Sequence, residues 1–369
     1  MSRLNGPNVV LVAGARPNFV KLAPLHRALL SRSGVRPSIV HTGQHYDDAM
    51  SAVFFRELGI PTPDVELGAG SGSHTEQTAS IMLRFEPTIT KYKPRLVIVF
   101  GDVNSTLACA LVAAKMGIPV AHVEAGLRSN DWTMPEEINR VLTDRLSDRL
   151  YAPSRDACNN LAREGIPEER IRLVGNIMVD TLLWQLPLID QVSILRTFGV
   201  EPQRYILVTL HRPSNVDDGA TLEGITTALG RVAASETVIF PVHPRTRDHL
   251  ARLGLKGSLG RTHSVDPLPY RTFLALMANA RVVLTDSGGV QEETTALGVP
   301  CLTARQNTER PVTILEGTNR LVDSDPESLV EALKNDGGRR GRIPDLWDGR
   351  AAERIADDLL AVYTPLPAS

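Results

Sequence analysis

Short apolar runs alternate with longer amphipathic segments along most of the chain, and this alternation constrains the fold more than any other feature. The short runs are typical of strands and the amphipathic segments of helices. Such an order builds parallel sheets covered by helices on both faces. The predicted strands are residues 9–13, 37–41, 96–100, 119–123, 149–152, 171–174, 205–210, 237–241 and 281–284. The predicted helices are residues 21–30, 77–92, 105–116, 136–150, 220–234, 270–277, 290–297 and 350–363.

The series of strands starts twice, which predicts two domains of the α/β class. A chain of 369 residues is long for one hydrophobic core and suits two. The break falls within residues 176–203, where two prolines interrupt the pattern. We therefore predict a first domain at residues 1–180 and a second at 181–349, each a doubly wound parallel sheet. The last helix, within 350–369, packs on the second sheet or returns to the first, and spacing alone does not decide between them.

Composition argues against several classes of function. Charged residues make up 22% of the chain, and the formal net charge is −2 without an acidic or basic block. Nucleic-acid and membrane binding are therefore not expected, since both usually need a concentrated basic face. Cys109, Cys158 and Cys301 are scattered, so neither a disulfide framework nor a zinc site is predicted. No signal segment and no apolar stretch of about 18 residues is present, which predicts a cytoplasmic protein.

Unusual polar residues follow five of the predicted strands directly. Ligands of open parallel sheets bind beyond the carboxyl ends of the strands, so these segments predict a cleft between two facing sheets. The segments are residues 14–17, 101–102, 124–126, 211–212 and 285–289.

The segment Ser287, Gly288 and Gly289 joins a strand to a helix start. Unpaired amide groups, the helix dipole and the two glycines together favour a phosphate or diphosphate there. The alternative is a simple helix cap by Ser287. Glu292 and Glu293 fall in the first turn, where one of them would bind ribose hydroxyls or both would only complement the dipole.

Arg16 and Lys21 begin a helix in the first half, and each is a candidate for a phosphate contact. For Lys21 alone, a solvated lysine is the alternative. The chain contains neither the G-x-G-x-x-G fingerprint of dinucleotide sites nor a P-loop.

The candidates for acid–base chemistry are Asp102, Glu124, Glu136 and His211. Asp102 and Glu124 follow successive strands, so we expect them to lie close together and one pKa to rise. The alternatives are a first-turn charge for Glu136 and a core histidine for His211. No ligand spacing supports a metal site.

Taken together, these segments resemble the non-hydrolysing UDP-N-acetylglucosamine 2-epimerases. The matching motifs run in family order over nearly the whole chain, and the set is more specific than any one motif. They are GARP at 14–17 with Lys21, GQH at 43–45, GDVNST at 101–106, HVEAGLR at 122–128, PEEINR at 135–140, HR at 211–212, TDSGGVQEE at 285–293 and TERP at 308–311.

The resemblance implies a GT-B-like fold of two Rossmann-like domains facing across a cleft, with the final helix crossing back to the first domain. It implies elimination of UDP to a 2-acetamidoglucal and re-addition, with no cofactor and no metal. It also implies a homodimer and a role in cell-surface polysaccharide biosynthesis. The implied catalytic residues are Asp102, Glu124, Glu136 and His211. The implied UDP-binding residues are Arg16, Lys21, Phe273, Ser287, Gly288, Gly289, Glu293 and Arg310.

Two departures leave the sugar less certain than the reaction. Many bacterial members have an arginine after the Gln-His pair, and some have a second glutamine further on, where this chain has Tyr46 and Asp47. Those positions belong to a site where substrate activates some members, so that regulation is in doubt here. Residues 41–50 and 211–217 also resemble relatives that act on UDP-diacetamido-uronates. The remaining alternatives are a hydrolysing epimerase, a GT-B glycosyltransferase and a nucleotide-sugar sensor.

Overall fold

The computed structural model describes residues 8–32, 35–43, 55–335 and 341–363. Contacts divide the chain into two compact units, Met1–Thr181 with Asp345–Ser369, and Leu182–Pro344. The first boundary falls inside a helix rather than in a loop.

The first unit contains a parallel sheet of seven strands in the order β3-β2-β1-β4-β5-β6-β7. The strands are β1 (Asn8–Ala13), β2 (Arg36–His41), β3 (Val65–Glu66), β4 (Leu96–Phe100), β5 (Val120–Val123), β6 (Arg149–Ala152) and β7 (Ile171–Leu173). The helices are α1 (Arg16–Leu30), α2 (His74–Tyr92), α3 (Asn104–Lys115), α4 (Pro135–Leu146), α5 (Arg155–Arg163) and α6 (Ile177–Gln185), which runs on past the boundary. Every residue of β4 and β5 is buried, as expected for a sheet covered on both faces.

The second unit repeats this architecture with six parallel strands in the order β10-β9-β8-β11-β12-β13. The strands are β8 (Tyr205–Thr209), β9 (Thr237–Pro241), β10 (His263–Val265), β11 (Val282–Thr285), β12 (Cys301–Ala304) and β13 (Asn319–Val322). The helices are α7 (Gln191–Thr197), α8 (Pro213–Val216), α9 (Gly219–Val232), α10 (Pro244–Arg252), α11 (Tyr270–Ala278), α12 (Gly288–Leu297), α13 (Pro311–Leu315) and α14 (Pro326–Lys334). Short 3-10 helices are Glu168–Arg170, Leu186–Leu188 and Leu255–Leu259.

The predicted fold class, two Rossmann-like doubly wound parallel sheets, is confirmed. In each sheet the strand order reverses between two neighbours, β1 and β4 in one unit and β8 and β11 in the other. Loops leave such a pair in opposite directions, which opens a crevice at the carboxyl ends. The sequence pattern missed β3, β10, β12 and β13, because these strands are short and not all of them are buried.

The last helix, α15 (Ala351–Tyr363), belongs to the first unit. Asp180 accepts hydrogen bonds from the backbone N–H groups of Ala351 (3.1 Å) and Ala352 (2.7 Å) at the start of this helix. Residues 345–349 lie in the same unit, although the sequence boundary was drawn after residue 349. They lie there because Trp347 is buried and its Nε1 donates to the carbonyl oxygen of Pro153 at 3.0 Å.

Helix α4 faces the core with its polar side, contrary to the sequence pattern. The predicted helix 136–150 carried an apolar stripe, but the helix ends at Leu146, and Ile138 and Leu142 are 39% and 45% exposed. The buried residues are Glu137, Asn139, Arg140, Thr143 and Asp144. A helix that buries this many polar groups must satisfy them by hydrogen bonds, and those bonds reach the predicted active site.

Candidate active site

The turn after β1 is tied to the end of β4. The Asn18 side chain accepts from the backbone N–H groups of Gly14 and Ala15, both at 3.1 Å, and donates to the carbonyl oxygen of Phe100 at 2.8 Å. Asn18 therefore fixes the reversal point of the first sheet. Arg16 is the first residue of α1, and its side chain lies outside what the structure describes.

Lys21 reaches the Glu124 carboxylate through its Nζ, and the side chains of both residues are only 6% exposed. Gly101 makes this contact possible: with φ of +63°, a Cβ there would lie 3.0 Å from Lys21 Nζ and 3.2 Å from Glu124 Oε2. Glu124 itself has φ of +74°, which a non-glycine residue rarely adopts. The structure thus gives Lys21 a carboxylate partner that the sequence analysis did not foresee.

Asp102 lies beside a different cation. Arg140 of α4 donates to Asp102 Oδ2 from Nε (3.1 Å) and Nη2 (2.6 Å), and Asn139 donates to the Asp102 carbonyl oxygen at 3.0 Å. The Asp102 side chain remains 25% exposed. The sequence led us to expect that the carboxylates of Asp102 and Glu124 would perturb each other's pKa. It did not reveal that each carboxylate contacts its own cation, Arg140 for Asp102 and Lys21 for Glu124.

The adjacent glutamates at the start of α4 have different surroundings. Glu137 is buried and accepts from Ser129 N (3.0 Å), Ser129 Oγ (2.9 Å) and Asn130 N (2.9 Å), so it holds the preceding loop. Glu136 is exposed in the first helical turn. Of the two, Glu136 is the one whose carboxylate is open to a ligand.

In the second unit the strand ends are organised around Asp286, a fully buried residue whose role the sequence analysis missed. Its carboxylate accepts from the backbone N–H groups of His211 (3.0 and 3.1 Å) and Arg212 (2.9 Å) and from Asn215 Nδ2 (3.1 Å). His211 Nδ1 lies 3.2 Å from Asp286 Oδ1, while the His211 side chain is 40% exposed. A carboxylate on Nδ1 fixes the orientation of an imidazole. In the sequence, the signal for Asp286 was its position directly after β11, within the segment TDSGG.

Helix α12 starts at the neighbouring strand end. Ser287 occupies the cap position, but its hydroxyl makes no capping bond, so the simple-cap alternative is not what the structure has. A Cβ at Gly288 would meet the guanidinium group of Arg310 and lie 2.9 Å from Glu309 Oε1, so a larger residue there would have to displace these buried side chains. Gly289 follows in the first turn.

Three guanidinium groups surround Glu309 next to this helix start. Arg305 Nη2 lies 2.8 Å and Arg212 Nη2 3.5 Å from its carboxylate, and Arg310 contacts it as well. Burial by itself would raise the pKa of Glu309, but the three cations hold it well below its usual value. Arg310 Nε also lies 3.0 Å from Glu292. The guanidinium groups and the amide N–H groups at the start of α12 are donors of the kind that bind an anion. Sequence reasoning singled out neither Arg305 nor Glu309.

Glu293 is fully buried one position beyond Glu292. Burial raises its pKa to about 7, and the neighbouring carboxylate of Glu292 adds to this, while a hydrogen bond from Tyr270 (2.9 Å) opposes it. Phe273 lies half-buried on α11, the helix that carries Tyr270. A carboxyl group with such a pKa exists in both protonation states near neutral pH.

Within the described ranges no group of three or more His, Cys, Asp or Glu side chains is arranged to hold a metal ion. None of the helices described is long and apolar enough to cross a membrane. Gln44 and His45 of the GQH segment lie outside the described residues. So do Tyr46 and Asp47, where the chain departs from many bacterial members of the family.

Comparison with known proteins decides the family. Residues 27–360 match the family model described as UDP-N-acetylglucosamine 2-epimerase. The chain belongs to this family. A member from Methanocaldococcus jannaschii, named UDP-N-acetylglucosamine 2-epimerase, is 45% identical over 355 residues, which is 94% of this chain and 96% of that protein.

The family includes a relative named for a different sugar. The UDP-2,3-diacetamido-2,3-dideoxy-D-glucuronate 2-epimerase of Pseudomonas aeruginosa is 40% identical over 359 residues, covering 95% of this chain and 99% of that protein. Among solved structures, the M. jannaschii UDP-GlcNAc 2-epimerase in complex with UDP-GlcNAc and UDP matches with a TM-score of 0.89 at 42% identity. That match covers 96% of this chain and 99% of that one.

Proposed function

We propose that this protein is a non-hydrolysing UDP-N-acetylglucosamine 2-epimerase that interconverts UDP-GlcNAc and UDP-ManNAc. The observation that carries the proposal is that the two units of this family member have different polar groups at the ends of their strands. One unit presents carboxylates next to cations, and the other presents a cationic helix start with a buried carboxyl group. An isomerase that breaks and remakes a bond to UDP needs both kinds of site.

The proposed reaction is an elimination followed by an addition. The proton on carbon 2 is not next to a carbonyl carbon, so it becomes acidic only as the bond from carbon 1 to the diphosphate oxygen breaks. A carboxylate takes the proton, the double bond between carbons 1 and 2 forms, and UDP leaves. UDP then returns to carbon 1, and a proton is delivered to the other face of carbon 2. No oxidant or other co-reactant is needed.

We assign the departing diphosphate and its nucleotide to the strand ends of the second unit. The positive charge around Arg310 and the amide groups at the start of α12 would stabilise developing charge on the leaving group, a contribution of several kcal/mol when such donors are preorganised. His211, held by Asp286, would donate to the same group. Glu293 would accept from ribose hydroxyls. The full proposed UDP set adds Arg16 and Lys21 of the first unit to Phe273, Ser287, Gly288, Gly289, Glu293 and Arg310 of the second.

We assign proton transfer to Asp102 and Glu136, one for each face of carbon 2. Asp102 is partly exposed and Glu136 is exposed, so both can meet a substrate. Glu124, buried and paired with Lys21, would orient the sugar or tune its neighbours.

A second substrate, a UDP-diacetamido-uronate, is favoured by one observation. The P. aeruginosa relative named for such a sugar is 40% identical over nearly the full chain, close to the 45% of the M. jannaschii protein. Both substrates share the nucleotide and the carbon 2 chemistry, so the choice concerns contacts to the sugar alone.

The decisive experiment incubates the protein with UDP-GlcNAc in D₂O and follows the products by NMR. We expect deuterium at carbon 2 in UDP-ManNAc as it forms. Epimer without deuterium would exclude elimination, and absence of epimer would exclude the substrate. The diacetamido-uronate nucleotide is the parallel sample. Release of free N-acetylmannosamine would identify a hydrolysing enzyme.

Glu136→Gln tests the residue assignment within the same assay. We expect turnover to fall by orders of magnitude while UDP still binds, because a proton-transfer group contributes about 10²–10⁴-fold. Glu168→Gln is the matched control, since Glu168 is an exposed carboxylate of the same unit. Loss of UDP affinity in Glu136→Gln would move Glu136 into the nucleotide site.

We also propose a cytoplasmic homodimer that serves cell-surface polysaccharide biosynthesis. The free thiols of Cys109, Cys158 and Cys301 suit a reducing compartment. For the dimer, the neighbouring helices α2, α3 and α4 leave apolar side chains uncovered. These side chains are Leu83 (73% exposed), Met116 (39%), Ile138 (39%) and Leu142 (45%).

A further inference from the structure

We propose that His122 is a positioning residue for the acid–base groups, acting through its hydrogen bond to the Gly101 carbonyl oxygen. The inference rests on the proposed function, because it assigns a task to a residue behind the proposed proton-transfer site. His122 is the third residue of β5 and has no exposed surface.

Both ring nitrogens of His122 have acceptors. Nδ1 lies 2.6 Å from Asp144 Oδ1, and Nε2 lies 2.7 Å from the Gly101 carbonyl oxygen. A carbonyl oxygen only accepts, so Nε2 must carry a proton, and the bond runs from His122 to Gly101. A further proton lies between Nδ1 and the Asp144 carboxylate. The ring therefore bridges α4 and the end of β4.

The bond to Gly101 bears on Asp102 for a geometric reason. The carbonyl group of Gly101 and the amide nitrogen of Asp102 belong to one planar peptide unit, so fixing the carbonyl oxygen fixes the plane that leads into Asp102. Gly101 has φ of +63° and no side chain with which to hold the turn. Without the imidazole, the Gly101 carbonyl group would lose this hydrogen bond. Asp102 would then be held by Arg140, Asn139 and the bond from Gly101 N to the Val123 carbonyl oxygen.

Asp144 connects the His122 ring to the segments that carry the other acid–base candidates of the first unit, Glu124 and Glu136. Its Oδ2 accepts from Gly126 N at 3.1 Å and lies 2.7 Å from Arg128 Nη1. Gly126 is in the loop that begins with Glu124, and Asp144 is on α4, the helix that begins next to Glu136. One buried pair, His122 and Asp144, is thus bonded to the three segments of the first unit that carry acid–base candidates.

A merely structural histidine would contribute to stability without any special effect on the chemical step. Two substitutions by amide side chains separate these roles, because each places a hydrogen-bonding group near one of the two ring nitrogens. In His122→Asn the amide replaces the Nδ1 edge, so the bond to Asp144 is kept and the bond to Gly101 is lost. In His122→Gln the amide reaches the Nε2 position, so the bond to Gly101 is kept and the bond to Asp144 is lost.

The experiment measures kcat, KM, UDP affinity and thermal stability for the wild type and both variants. We expect kcat of His122→Asn to fall by about 10²-fold, the effect of a displacement of about 1 Å at a reacting group. KM and UDP affinity should change far less than kcat, because six of the eight proposed UDP-binding residues are in the other unit. We expect His122→Gln to keep kcat within about threefold of the wild type, even though it is destabilised.

Two results would overturn the proposal: wild-type kcat in His122→Asn, or an equal loss of kcat in both variants. If His122→Asn does not fold, the result for His122→Gln decides. A loss of kcat well beyond threefold in His122→Gln would contradict the role of the bond to Gly101, because this variant keeps that bond. A wild type without epimerase activity would refute the proposed function instead, so the two failures are distinguishable.

Discussion

The buried contact between Lys21 and Glu124 allows a quantitative test of the first unit. Lys21→Met keeps the length of the side chain but removes its charge, and it leaves the Glu124 carboxylate buried without this cation. At a contact of about 3 Å and an effective dielectric constant of about 20, the attraction is about 5 kcal/mol. Desolvation offsets much of this in the intact pair, but breaking a buried pair typically costs about 3–5 kcal/mol. We expect that loss in the free energy of unfolding, since both side chains are only 6% exposed.

The assay is a double-mutant cycle by urea unfolding. Tryptophan fluorescence follows unfolding, and Trp347, which is buried in the first unit, contributes the signal from this unit once Trp184 of the second unit is replaced by Phe. Glu124→Gln removes the partner charge, and the double variant with Lys21→Met should recover part of the loss, because no charge is then left unpaired. A coupling free energy of about 2 kcal/mol is expected for contacting buried groups. Lys115→Met, at an exposed lysine, is the control and should change stability by no more than about 0.5 kcal/mol.

A coupling free energy below about 0.5 kcal/mol would refute the reasoning, because independent sites add within this margin. The same variant tests the predicted phosphate contact of Lys21. If that contact exists, UDP affinity falls in Lys21→Met, and if the lysine serves Glu124 alone, UDP affinity is retained.

Two further predictions concern pH. Burial raises the pKa of Glu293 to about 7, so the carboxylate that would accept from ribose forms only as the pH passes 7. The ratio of UDP affinities of the wild type and Glu293→Gln should rise about tenfold from pH 6 to pH 8, measured by calorimetry, and a constant ratio would contradict this role. Burial also raises the pKa of Asp180 from 3.8 to about 6, so the folded state binds the proton more tightly than the unfolded chain. The free energy of unfolding should therefore fall by at most about 3 kcal/mol from pH 4 to pH 6. In Asp180→Asn the free energy of unfolding, measured with urea, should not show this fall between pH 4 and pH 6. A pH profile identical to that of the wild type would contradict the role given to Asp180.

The sequence predicted the fold class because the physical signal for a buried parallel strand is local. A run such as residues 96–100 is apolar throughout and short, which is typical of a strand covered on both faces. Strands without such a run gave no signal: β10 is His-Ser-Val, and β3 has two residues. These edge strands form because a neighbouring strand offers hydrogen bonds, a condition that the local sequence does not contain.

The orientation of α4 shows the limit of local patterns most clearly. Its apolar residues Ile138 and Leu142 predicted a buried apolar stripe, yet Arg140 and Asp144 are the side chains that face inward. Polar residues can occupy the buried face only when partners elsewhere in the chain satisfy them. Here those partners are Asp102 and His122, which are distant in sequence.

The sequence by itself determined two repeated α/β units, the polar strand ends and the motifs that identify the family. These follow from hydrophobic periodicity and from residue types at fixed spacing. Only the tertiary structure decided that Lys21 pairs with Glu124, that Arg140 pairs with Asp102 and that Asp286 holds His211. A charge takes its partner from whatever the fold brings within a few ångströms, and burial then sets how strongly the two interact.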